Sequence, residues 1–450
     1  MKTSFKPRPA ELIIIILAFV LLVPGFYGNS WRAAGKKWFV DWQKYHEHMV
    51  VARLVQSRQA GIFSYGGLLG FGDITTWDVD QQVIEHEYDL FANGGEFRSY
   101  WAYDSVPGFQ AMLFSPTESL FHLAPATSLK LFRLLEALLA AAVLGLFLAW
   151  MAHEFGLFSA IVVLLFMASS EWMTLFGANF YWNLWAFYLP LAVLCIYLLH
   201  ATETGRIRGG QIFLLMAGTL LVKCLFTGFE FISTALVMPF SALVYYALRQ
   251  NWTLKYFLRQ FVVTASGAIT GTLVALVVLA AQIASVSGGW SQALGYILRT
   301  LGKRTYGDPA SYTGIEAESL RANVFSVLQT YLNGRALNMS SIFRADLGFL
   351  EFTYMQVILV FVLFSIIFVL KKRYWGGFEN NKLGGDLIIT TWFSALAPLS
   401  WFVLFRAHSY IHTQMNFIIW QMPFVLFGFA MCAFIVANWR RPVDVGSTGI

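Results

Sequence analysis

Apolar runs separated by short polar turns make up most of the chain. The first, Glu11 to Tyr27, is followed by a long mixed segment before the runs resume. Leu129 to Met151, Leu157 to Met173, Leu184 to Leu199, Ile212 to Leu225 and Phe229 to Leu248 come next. Phe261 to Ala284, Phe352 to Leu370, Leu387 to Phe405 and Phe417 to Ala437 complete the set. Several reach the roughly 20 residues a helix needs to cross a bilayer core. The pattern predicts an all-α polytopic membrane protein of about ten transmembrane helices, folded as one integral-membrane domain over 1–450. Two large loops interrupt it, 28–116 with interfacial helices and 285–350. Val106 to Ala124 is weakly hydrophobic and carries Pro107, Gly108 and Pro116. It reads as a re-entrant or half-length helix rather than a crossing.

Composition agrees with this picture. A chain that is 58% hydrophobic and only 12% charged, with a mean hydropathy of +0.60, is not a soluble globular protein. Its net charge of +6 sits in short turns: Arg206 and Arg208, then Arg249, Lys255 and Arg259, then Lys371, Lys372, Arg373 and Lys382, then Arg440 and Arg441. Cytoplasmic loops collect Lys and Arg. With ten spans, both termini therefore lie in the cytoplasm, and both large loops and the Arg406 to Met415 turn lie outside. Counting Val106 to Ala124 as a span inverts every later loop. The basic excess needs no nucleic-acid partner. The first run follows Lys2, Lys6 and Arg8 as a signal peptide does. Pro24-Gly25-Phe26-Tyr27 is a poor cleavage site, however, so the run reads as a retained anchor. The localisation expected is an inner (plasma) membrane of the bacterial kind. Cys195, Cys224 and Cys432 fall inside apolar runs, which points to packing rather than disulfides or thiol chemistry.

The candidate chemistry lies in the external segments. Phe39 to His48 leads into a helical run, Met49 to Gln59, with an apolar stripe of Val50, Val51, Leu54 and Val55. Lys44, Glu47, Arg53 and Arg58 lie largely off that stripe, so the run predicts an interfacial helix with Asp41 at its N-terminal edge. The same loop supplies Tyr45, His46, His48, Asp73, Asp78, Asp80, Glu85, His86, Glu87, Asp89 and Asp104. The second supplies Arg299, Lys303, Arg304, Tyr306, Asp308 and Arg344, and the late turn Arg406, His408 and His412. Acids on one loop and bases on others suggest a general base opposite an anion clamp. Asp78 and Asp80 are the weak candidates for a divalent metal, since hard cations prefer clustered carboxylates. His408 and His412, spaced i, i+4, share a face if the turn is helical. Lys223 and Glu230 flank a tight external turn and read as a structural ion pair. Trp77, Trp101, Tyr103, Trp172, Tyr181 and Trp182 suit sugar stacking or, more simply, an interfacial aromatic belt. The chain has no Gly-rich phosphate loop followed by Lys and Ser/Thr, so nothing demands a nucleotide.

This arrangement resembles the GT-C superfamily of integral-membrane glycosyltransferases, which includes lipid A aminoarabinose transferases and protein O-mannosyltransferases. The likeness rests on a cytoplasmic N-terminus, one span, and a large external loop opened by an acid and an interfacial helix. Locally it rests on Asp41-Trp42-Gln43-Lys44-Tyr45 followed by Val51-Ala52-Arg53, where the family has Asp-Glu, Tyr and Ala-Arg. Trp42 stands where the family has Glu. The resemblance implies a polyprenyl-phosphate sugar donor, a lipid, glycan or protein acceptor, and inverting displacement with Asp41 as base. It further implies a phosphate clamp drawn from Arg406 and His408 first, then His412, Arg304, Lys303 and Lys223, with Tyr45, His46 and His48 orienting base or acceptor. A polysaccharide polymerase or ligase would instead rely on Arg and His of late external loops. A lipid or glycan transporter would show repeats and midplane polar groups, and a scaffold subunit would need no acid-rich loop.

Overall fold

The computed structural model describes residues 8–74, 79–343, 350–374, 377–378 and 380–439. The apolar helix α1 (Pro9–Gly28) leads into a segment built from α2 (Lys36–Ala60), α3 (Gln81–Asn93) and α4 (Phe109–Leu120). That segment also holds an antiparallel hairpin, β1 (Gly70–Gly72) against β2 (Tyr100–Ala102), with Phe71 opposite Trp101. The bundle continues with α5 (Pro125–Phe155), α6 (Leu157–Ser169), α7 (Glu171–Gly177), α8 (Leu184–Glu203) and α9 (Gly209–Thr227). It then runs through α10 (Ile232–Val237), α11 (Phe240–Arg249) and α12 (Leu254–Ser287). A second polar segment holds α13 (Trp290–Arg304), α14 (Gly314–Arg321), α15 (Val324–Asn333), the hairpin β3 (Arg335–Asn338) with β4 (Glu351–Thr353), and α16 (Met339–Phe343). The chain ends with α17 (Tyr354–Tyr374), α18 (Asn381–Ser394), α19 (Leu396–Leu404), α20 (Arg406–Ile411) and α21 (Phe424–Ala437).

The protein is an all-α polytopic bundle. Among the described residues eight helical segments are long and apolar enough to cross a membrane. The α6–α7 pair, bent by 74°, makes a ninth if counted as one span. The 14-residue α21, about 21 Å long, is a further apolar helix. Small residues let the helices approach: Gly267 and Gly271 of α12 face α9 so closely that a Cβ at Gly271 would lie 2.1 Å from the Ala217 carbonyl oxygen. The 12-residue α4 is about 18 Å long and packs on α2 rather than joining the long helices.

The three loop segments gather at one end of the bundle. Gln282 of α12 donates to the Gly66 and Pro107 carbonyls, and Trp172 donates to the Arg335 carbonyl. At the other end His153 meets Glu11 at 2.7 Å, and Lys382 donates to the Leu248 carbonyl.

The structure corrects the reading of α2. It begins at Lys36, with Gly35 as N-cap, so Asp41 lies inside the helix and caps nothing. Glu47 and Arg53, expected on a solvated face, are fully buried. The loop folds over the helix: α3, α4, β1 and α7 cover its polar side, and each buried charge finds partners. Glu47 receives two groups of Arg133, at 2.9 and 2.5 Å, while Arg53 donates to the carbonyls of Ser64, Ile62 and Gly61.

Candidate functional site

A polar cavity of about 310 Å³ opens at the loop end of the bundle, and all three loop segments line it. The α2 side contributes Tyr45, His46 and His48. The second segment contributes Arg304, the last residue of α13, and the late turn contributes His408 and His412. The rest of the wall includes Phe71, Tyr103, Tyr181, Trp182 and Glu230.

The aromatic wall is built by backbone chemistry. Asn179 accepts from the Tyr181 and Trp182 amides and donates to Gln43 at 2.8 Å, while Gln43 donates to the Leu175 carbonyl. These bonds tie α2 to the turn before α8 and fix both rings. Trp182 stacks on Phe231 at 5.8 Å, with 4° between the planes. Phe231 has φ 51°, a left-handed conformation that costs a bulky residue on the order of 1 kcal/mol. Lys223 holds this turn by donating to the Gly228 carbonyl at 3.0 Å and to the Glu230 carbonyl. The expected Lys223–Glu230 ion pair is thus replaced by a lysine that satisfies backbone carbonyls. Lys223 does not line the cavity.

The Glu230 carboxylate turns to Arg304 instead, 2.6 Å from its Nη1. Burial opposes the charge of Glu230, but the Arg304 guanidinium above all holds its carboxyl down to about 2. Burial opposes the charge of Arg304 too, and Glu230 more than restores it. His408 Nε2 lies 3.5 Å from the other Glu230 oxygen, yet burial keeps this imidazole well below its ordinary range despite that carboxylate. At neutral pH the contact is therefore a neutral imidazole beside an ionised acid. The His408 and His412 rings are 4.5 Å apart, on one side of α20 and its C-cap.

Elsewhere in the cavity lining His48 Nδ1 is 2.7 Å from Glu87 Oε2, and Glu87 Oε1 accepts from the Gly72 amide at 2.9 Å. Burial pushes the Glu87 carboxyl above its ordinary range, while His48 and that amide pull it back. His46 Nδ1 donates to the Trp42 carbonyl at 3.0 Å. Burial brings His46 down to about 3 against the pull of that bond, and His48 and His412 push the same way as burial. In the unfolded chain it titrates near 6.5, so acidification protonates the unfolded state first and lowers stability. Between pH 7 and 5 this one residue contributes a loss of about 2 kcal/mol. We expect His46→Asn to lower the melting midpoint at pH 7 but to flatten its fall towards pH 5. An unchanged slope would assign the dependence to His408 or His412.

Several expected site residues stand elsewhere. Asp41 is exposed, one helical turn before Tyr45, and does not line the cavity. Asp80 caps α3 by accepting from the Gln82 and Val83 amides, while Asp78 and Arg344 lie outside the described residues. Among the described residues no group of three or more His, Cys, Asp or Glu side chains could hold a metal. Lys303 pairs with Glu316 at 3.0 Å. Arg406 donates to the Leu320 carbonyl and lies over the Tyr306 ring, because α20 packs on α14. Glu230 and the His48–Glu87 pair are what residue-by-residue reading missed. The signal available was an acid at the hydrocarbon boundary and a Glu amid the acids of the first loop.

An apolar groove of about 230 Å³ runs beside the cavity between α12 and α13. Phe229, Ile232, Leu276, Leu279, Ile297 and Leu301 line it, together with Asp104 and Arg304. Burial pushes the Asp104 carboxyl up to about 6. Arg304 belongs to both the groove and the cavity. No family model, curated protein or solved structure matches the chain.

Proposed function

We propose that the protein is a membrane glycosyltransferase of the GT-C type, moving a sugar from a polyprenyl-phosphate donor to a lipid, glycan or protein acceptor. The observation that carries this reading is the position of Arg304, shared by an apolar groove and a polar cavity. A lipid chain along Leu276 and Leu279 would bring its phosphate to that guanidinium. The sugar would then lie in the cavity against Tyr181, Trp182 and Tyr45, whose rings suit the apolar face of a pyranose or furanose. As the bond to phosphate breaks, charge grows on the leaving oxygens, and a cation fixed there stabilises the transition state more than the ground state. The basic turns at the opposite end of the bundle support a cavity on the external face of a bacterial inner membrane.

One observation favours a second reading, a polymerase or ligase acting on lipid-linked glycans. Arg304, His408 and His412 of the later segments line the cavity, whereas the early Asp41 does not. Transfer of whole glycans rather than single sugars would decide for it.

The test is transfer in proteoliposomes from polyprenyl-phosphate-linked hexoses, pentoses and hexosamines. Leu276→Trp fills the groove. We expect it to raise KM at least tenfold for long-chain donors and to leave short-chain analogues unaffected. Equal effects on both would remove the groove from donor binding.

A further inference from the structure

We propose that His48, oriented by Glu87, is the general base that deprotonates the acceptor, in place of the aspartate that the family resemblance implies; this rests on the transferase reading above. The geometry singles it out. His48 and Glu87 have side-chain exposures of 4% and 0%, and their 2.7 Å contact joins α2 to α3. Glu87 is itself anchored by the Gly72 amide, and a Cβ at Gly72 would strike the Phe97 ring, so the hairpin seats closely on this pair. A carboxylate only accepts, so Nδ1 carries the proton and Nε2 keeps its lone pair. His48 lines the cavity, and no hydrogen-bond partner of its Nε2 is found among the described residues.

The other imidazoles are less suited. His46 has a backbone carbonyl rather than a carboxylate behind it. His408 points Nε2 at Glu230, and its buried Nδ1 has no hydrogen-bond partner among the described residues. His412 packs against His408 on the Arg304 side, where the leaving phosphate belongs. The dyad and the Arg304–Glu230 pair thus reach one cavity from different segments of the chain, so base and leaving-group cation are separate groups around one substrate. The acceptor hydroxyl gives its proton to His48 Nε2 as its oxygen forms the bond to the anomeric carbon. The bond from that carbon to the phosphate oxygen breaks, and its electron pair leaves with the polyprenyl phosphate. Glu87 stabilises the imidazolium until the proton passes to water. His48 is the catalytic residue and Glu87 a positioning residue.

The experiment compares wild type, His48→Ala, His48→Gln, Glu87→Gln and Asp41→Asn in proteoliposomes. The probes are the donor panel named above for transfer and sugar-free polyprenyl phosphate for binding. We expect His48→Ala and His48→Gln to lose about 10²- to 10⁴-fold in kcat, with polyprenyl phosphate binding unchanged. Added imidazole should restore at least tenfold to His48→Ala and nothing to His48→Gln, whose side chain still fills the space. Glu87→Gln should lower kcat more than KM, and Asp41→Asn should stay within threefold of wild type. Binding with wild-type transfer in His48→Ala, absent imidazole rescue in a variant that still binds polyprenyl phosphate, or collapse in Asp41→Asn overturns the assignment alone. Wild type that neither binds polyprenyl phosphate nor transfers sugar overturns the transferase reading and this inference with it.

Discussion

Arg304→Gln is expected to lower sugar transfer by about 10²- to 10³-fold, the usual consequence of removing one preorganised donor from a developing anion. It is also expected to destabilise the protein, because Glu230 is buried and ionised and its 2.6 Å partner is lost. The two effects separate in the double variant Glu230→Gln/Arg304→Gln. There the stranded charge is gone, so the melting midpoint should recover while transfer stays low. Arg304→Lys should restore little, since an ammonium lacks the planar fork that serves a carboxylate and a phosphate together. Wild-type transfer in the double variant would move the phosphate contact to His408 and His412.

Arg133→Leu should cost about 3–5 kcal/mol, the typical penalty for leaving one member of a buried ion pair unpartnered. Glu47 is fully buried on α2, and besides Arg133 its side chain is met by the Tyr88 hydroxyl at 3.4 Å and by the Phe180 backbone amide. Burial already raises the Glu47 carboxyl above its ordinary range against the pull of Arg133. Without Arg133 it rises further, so the folded state binds a proton that the unfolded state releases. The deficit should therefore shrink as pH falls below neutrality and grow as pH rises through the new folded value. Glu47→Leu/Arg133→Leu should recover most of the loss, because two apolar side chains replace the pair without a stranded charge. Melting midpoints of wild type and the two variants in detergent at pH 6 and 8 would check this. A single variant as stable as wild type would mean that α2 is held chiefly by its apolar stripe.

Much of the fold was legible because membrane helices obey a local rule. Each run must be apolar over about 20 residues whatever its neighbours do. Glu11 to Tyr27 and Phe261 to Ala284 therefore appear close to where the chain shows them, as Pro9–Gly28 and Leu254–Ser287. The weak, proline-broken stretch after Val106 became a short helix for the same reason. His408 and His412 came together because their spacing is set by the helix they close.

Asp41 shows where that rule stops. Its place in the sequence suits an acid opening an external loop, but its exposure depends on α2 starting five residues earlier and on which face α3 and α7 cover. The same covering made Glu47 and Arg53 interior residues and placed His48 against Glu87, 39 residues away. Lys223 and Glu230 are seven residues apart, yet Glu230 chose Arg304, 74 positions on, because the tight turn left Lys223 nearest the backbone carbonyls. Composition and hydrophobic period determined the class of protein, the order of its helices and the three segments that carry the polar residues. Which of those residues meet was decided only by tertiary packing. A buried charge takes whichever partner the neighbouring helices bring within about 3 Å, and a one-dimensional pattern carries no record of that distance.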